Sequence, residues 1–148
     1  MLGRALSCPV FDLDEAVEDL LGQAISAFVE QADWPAFRLI ECETFARLLQ
    51  ADQFVIACGA GLVETELARN LLSESCDQRL WLDITPAQQV ARLSEDQRPR
   101  LNPELSWQQE LLDVDARRRP LYQQLATAHL AVEGSLTKLH NEALTALE

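Results

Sequence analysis

The feature that most constrains this chain is an alternation of short apolar runs with longer amphipathic stretches. Val10-Phe11-Asp12-Leu13, Phe54-Val55-Ile56-Ala57-Cys58, Leu80-Trp81-Leu82 and Leu130-Ala131-Val132 are each followed by a turn or capping signal. Runs this brief and continuous read as strands buried on both faces. The stretches between them carry helical spacing and predict helices over 14–21, 23–31, 36–50, 63–73, 87–93, 107–117 and 136–148. Gly22 closes the first of these, Pro86 opens the fifth, and Pro120 should break the sixth. Strands alternating with helices imply an α/β protein with a parallel sheet and right-handed crossovers. At 148 residues, with no repeat or linker, the chain reads as a single domain over 1–148.

Charge narrows the partners. Twenty-four acidic residues against 12 basic ones give a formal net charge of −12. That argues against nucleic acid and against anionic membrane, since both need basic surface. No apolar run approaches the ~20 residues of a membrane span, and the first residues lack the apolar stretch of a secretory signal. The expected location is the cytoplasm. Cys8, Cys42, Cys58 and Cys76 are widely spaced and form no C-x-x-C pair, so they read as buried or semi-buried free thiols. The cations are uneven: eleven of the twelve are arginine, and six lie between Arg92 and Arg119. An arginine island in an acidic chain has two readings, a solvated helix face or a site for an anionic small ligand that suits the guanidinium fork.

Ligands of parallel α/β sheets bind beyond the carboxyl ends of the strands, and the chemistry-bearing residues fall there. Asp12 and Asp14 end the first apolar run. If extended, both carboxylates point to one side as a base and a cation-supporting group; otherwise they are a helix cap and its neighbour. Arg38 and Glu41 sit at i, i+3 on one helix, either a surface ion pair or an arginine held by Glu41 and aimed at a substrate carboxylate. Gly59-Ala60-Gly61 either presents backbone N–H groups to a ligand or makes an ordinary turn. The polar stretch from Ser94 to Asn102 holds little that packs, and reads as a mobile loop bearing Arg98 and Arg100. Arg117, Arg118 and Arg119 suit a helix C-terminus, but three adjacent cations repel unless an anion lies nearby.

In order, Phe11-Asp12-Leu13-Asp14, Phe37-Arg38-Leu39-Ile40-Glu41, Val55-Ile56-Ala57-Cys58-Gly59-Ala60-Gly61, Leu80-Trp81-Leu82, Arg98-Pro99-Arg100-Leu101 and Arg118-Arg119-Pro120-Leu121-Tyr122 resemble the shikimate kinase family. The resemblance runs from about Gly3 to the C-terminus. It implies an α/β fold of the P-loop kinase type, a three-layer parallel sheet with flanking helices, acting as a monomer on shikimate and ATP. The implied reaction moves the γ-phosphoryl of ATP to the 3-hydroxyl of shikimate, with magnesium. By this resemblance Asp14 would bind the shikimate hydroxyls and help deprotonate the attacking one. Arg38 and Arg118 would clamp the carboxylate, Glu41 would hold Arg38, and the backbone of Gly59, Ala60 and Gly61 would contact the substrate. Arg98, on a lid over 94–105, would reach the phosphates; Arg92 would lie near the adenine; Asp12 would sit near magnesium through water.

The chain departs from the family pattern most in its nucleotide motif. G-x-x-x-x-G-K-[ST], whose backbone and lysine cradle phosphates, does not occur in it. Leu2-Gly3-Arg4-Ala5-Leu6 resembles the segment just past that motif. The expectation is therefore a domain lacking its first, central strand and the loop after it, which would separate the strands at Val55 and Trp81. Two readings follow: a truncated record of an active kinase, or a degenerate, non-catalytic shikimate-binding or regulatory relative. A kinase for another polyol acid is a third. Ala60, for the middle glycine of the family pattern, would cost ~1–2 kcal/mol if that position needs positive φ. Trp34-Pro35 and Arg100 are further departures.

Overall fold

The computed structural model describes residues 1–92 and 100–147. Its elements, in chain order, are α1 (Leu2–Leu6), β1 (Val10–Asp12), α2 (Leu13–Leu21), α3 (Ile25–Gln31), α4 (Trp34–Leu48), β2 (Val55–Ala57), a 3-10 turn (Leu62–Glu64), α5 (Glu66–Ser75), β3 (Leu80–Asp83), α6 (Pro86–Arg92), α7 (Trp107–Leu125), β4 (Ala128–Ala131) and α8 (Leu136–Ala146). The alternation read from the sequence is present, and local chemistry sets its boundaries. Asp12 caps α2 at its start and Gly22, at φ 65°, closes it. Asp33, Thr65, Ser106 and Ser135 cap α4, α5, α7 and α8 with side-chain acceptors. The short α1 had no counterpart among the expected helices.

One expected boundary is wrong. Pro120 does not break α7, which runs from Trp107 through to Leu125 with the proline inside. Tertiary partners hold the helix on both sides of it. Arg119 is bracketed by Asp115 one turn earlier and by Asp83 on β3, and the Tyr122 hydroxyl donates to the Ala60 carbonyl. Long-range contacts of this kind outweigh a local breaker.

The strands form two parallel pairs. Val10, Phe11 and Asp12 pair with Val55, Ile56 and Ala57; Leu80 to Asp83 pair with Ala128 to Ala131. Among the described residues β2 and β3 are not paired with each other, in line with the expected separation of the strands at Val55 and Trp81. An apolar cleft of about 990 Å³ lies between the pairs, with β2 and β3 on its walls and Gly59 and Ala60 at its edge. This corrects the expectation of strands buried on both faces: Val10 is 57% and Leu82 51% exposed. An edge without a neighbour leaves its side chains without one too.

The main core lies to one side of the cleft. Leu13 and Val17 of α2, Phe37, Cys42 and Phe45 of α4, Leu62 of the 3-10 turn and Ala68 of α5 pack together, all buried. This cluster fixes α4 and the 3-10 turn against α2 and α5. Of the four thiols, Cys42 is buried here, whereas Cys58, expected to be at least semi-buried, is exposed.

Candidate functional site

Asp12 ends β1 and does not stand beside Asp14 on an extended strand. Its Oδ1 accepts the backbone N–H of Asp14 at 3.0 Å and of Glu15 at 3.4 Å. The capping reading therefore describes Asp12, and Asp14 occupies the first turn of α2. There it faces the loop after β2. A Cβ placed on Gly59 would stand 2.8 Å from Asp14 Oδ1 and 3.2 Å from Glu41 Oε1. A Cβ on Gly61 would run into the guanidinium of Arg38. These glycines are needed for close approach to side chains. Ala60 fits its place without strain, because among the described residues Ser7 is the only non-glycine with positive φ.

Arg38 projects from α4 and is held at several points. Its Nη1 donates to Glu41 Oε2 at 2.7 Å, and its Nη2 lies 3.7 Å from Glu64 Oε2. The guanidinium carbon stands 5.2 Å from the Trp34 ring centroid and 5.1 Å from that of Phe37. Trp34 in turn meets Phe37 edge-on and donates from Nε1 to the Arg100 carbonyl. The departure at Trp34 thus forms a wall of the site. Glu41 is 1% exposed. Burial pushes its carboxyl above the usual range, and the opposing pull of Arg38 does not cancel it.

Arg118, on α7, is 2% exposed and reaches the same place. Its Nε donates to Glu64 Oε1 at 3.1 Å, while its Nη2 is buried without a hydrogen-bond partner. Arg117 donates to the same oxygen from Nε at 3.0 Å and Nη2 at 2.7 Å. Burial alone would raise the Glu64 carboxyl; hydrogen bonds and charge from Arg118 and Arg117 outweigh it and hold the group below its ordinary value of 4.5. Glu64 was not among the residues singled out from sequence. The signal was the Arg117-Arg118-Arg119 run, which called for a nearby anion without saying which.

Not every expected residue joins this group. Arg92 ends α6 and lines the cleft instead. Arg98 lies outside the described residues. The expected mobile stretch is anchored at its described end: Arg100 Nε donates to Glu110 Oε2 at 2.7 Å, and Glu110 Oε1 accepts the Leu101 N–H at 3.0 Å. Among the described residues no cluster of three or more His, Cys, Asp or Glu is placed to hold a metal.

A family model described as "Shikimate kinase" matches residues 1–148. The chain belongs to the shikimate kinase family. That family comprises ATP-dependent shikimate kinases and uses ATP and magnesium. A shikimate kinase of Rhodococcus jostii is 29% identical, over 90% of this chain and 78% of that one. One of Corynebacterium efficiens is 34% identical, over 85% and 73%. In fold, the chain superposes with a TM-score of 0.91 on a shikimate kinase from Acinetobacter baumannii solved in complex with shikimate, at 24% identity, over 99% of this chain and 82% of that one. Against the shikimate kinase of Aquifex aeolicus the TM-score is 0.84 at 25% identity. Among the described residues no helix is long and apolar enough to cross a membrane.

Proposed function

We propose that this chain carries the acceptor site of a shikimate kinase, with the shikimate carboxylate held by Arg38 and Arg118 and the 3-hydroxyl brought to Asp14. The observation that carries this reading is that Asp14 and Arg38 close on Gly59 and Gly61 while Arg38 and Arg118 both reach Glu64, three residues after that loop. Two guanidiniums select a planar carboxylate. Asp14, across the loop, is the group that accepts the hydroxyl's hydrogen bond and takes its proton as a phosphoryl group arrives. Glu41 keeps Arg38 aimed, and Gly59 and Gly61 leave room for the side chains of Asp14 and Arg38 beside the loop. The reaction proposed is transfer of the ATP γ-phosphoryl to shikimate.

The donor side is different. The chain's own residues do not fit the phosphates of ATP: the sequence has one lysine, Lys138, and no phosphate-cradling glycine loop. Arg92 on the cleft wall and Arg98 are the candidate nucleotide contacts, and Asp12, already engaged as a cap, is at most a water-mediated neighbour of magnesium. A non-catalytic shikimate-binding relative is the second reading, favoured by the single lysine and the lack of a phosphate-cradling motif within residues 1–148.

Calorimetric titration of the 148-residue chain with shikimate tests the acceptor reading. Shikimate is expected to bind, and Arg118→Ala to weaken binding about 10- to 100-fold, the loss of a charge-assisted contact. The chain alone is expected to transfer no phosphoryl group from ATP. Absence of shikimate binding by the wild-type chain would reject the reading.

A further inference from the structure

Three arginines meet on Glu64. Arg117 and Arg118 share its Oε1, and Arg38 approaches its Oε2. Two of them, Arg38 and Arg118, are the pair assigned above to the substrate carboxylate. We propose that Glu64 is an internal competitor for that carboxylate: its side chain closes the arginine clamp when the site is empty and swings outward when an acid enters. This rests on the acceptor reading above.

Accessibility shows why something must move. Arg118 is 2% exposed, and its Nη2 is both sealed from solvent and without a partner. An incoming carboxylate cannot reach that fork while the present packing stands. Glu64 is the carboxylate already on it, and its side chain is 22% exposed, so it has an outward path. It ends the 3-10 turn Leu62–Glu64, where the buried Leu62 and Val63 pin the backbone and leave the side-chain torsions to change. Arg117 supplies the outer berth. Its side chain is 57% exposed and already holds Glu64 through two nitrogens.

The charges favour exchange over sharing. Two carboxylates on one guanidinium pair repel each other, whereas replacing Glu64 by the substrate's carboxylate leaves the charge on the clamp unchanged. Glu64 then sets the affinity of the site for acids, and does nothing for a ligand that lacks the carboxylate.

Calorimetry with shikimate, and with a triol of the same ring lacking the carboxylate, tests this on the full chain and on Glu64→Gln and Glu64→Ala. Both substitutions are expected to tighten shikimate binding on the order of 10-fold, the scale of a typical coupling between competing sites, and to leave the triol unchanged. Wild-type binding with equal or weaker binding by both variants would overturn the competitor role while keeping the acceptor reading. If neither the wild type nor the variants bind shikimate, the acceptor reading itself fails. A variant unfolded by circular dichroism counts against the proposal as well, because a group that swings clear of the clamp is dispensable to the fold.

Discussion

The two sides of the cleft start from the same scheme, a parallel strand pair with helices, and reach different states. On the clamp side, α2, α4, the 3-10 turn and α5 close over Phe45, Leu13, Leu62 and Val17, all 1% exposed or less. On α7, β4 and α8, the buried apolar residues among those described are Trp107, Leu111, Leu130 and Ala143. The difference lies in what each element needs. Amphipathic helices complete their burial by packing on one another. A strand needs a neighbour on both edges, and the inner edges of β2 and β3 border the cleft.

A pair of buried glutamates shows a second contrast. Glu41 on α4 and Glu110 on α7 each hold an arginine at 2.7 Å. Burial raises the Glu41 carboxyl. For Glu110 burial also pulls upward, but Arg100 and two backbone N–H donors, from Leu101 and Asn102, outweigh it and hold the group low. Glu41 has Arg38 to oppose its burial and is pushed further up by the nearby Asp14, whereas Glu110 has Arg100 and two directed backbone donors.

The contrast between the two sides breaks most directly in the core. Phe45→Ala is expected to cost about 3–5 kcal/mol, read from the urea midpoint; a loss below about 1 kcal/mol would show that the clamp side is no better packed than the other. The glutamate contrast is tested by Glu110→Gln, expected to cost about 1–3 kcal/mol at neutral pH. A carboxyl held below its ordinary value of 4.5 contributes stability above that value, and the contribution disappears as pH falls through the folded pKa. The gap between wild type and Glu110→Gln should therefore shrink on going from pH 7 to pH 3, and a gap that stays constant would exclude the ionised carboxylate as its source. The smallest effect is expected at the cleft, where Leu82→Ala should change stability by no more than about 0.5 kcal/mol; a core-sized loss there would mean that Leu82 is packed after all.

Much of the fold was legible because its signals are local. The stop at Gly22 and the opening at Pro86 lie within a turn of the helices they bound. The failures came where distant partners decide. Pro120 sits in a continuous helix because Arg119 and Tyr122 find Asp83 and Ala60. Arg100, read as part of a mobile loop, is tied down by Glu110. In the site, Arg38, Glu41, Asp14 and Arg118 were legible as a spaced pattern, whereas Asp12 proved to be a cap and Trp34 a wall.

The sequence by itself determined the order of strands and helices and the family, and it singled out the arginines proposed to meet a carboxylate. Only the tertiary structure decided that an internal carboxylate is already there. Glu64 lies 53 residues from Arg117 and 54 from Arg118, a separation at which no periodicity or spacing rule operates. Charge pairing depends on distance in space, and that distance is set when α4, the 3-10 turn and α7 pack together.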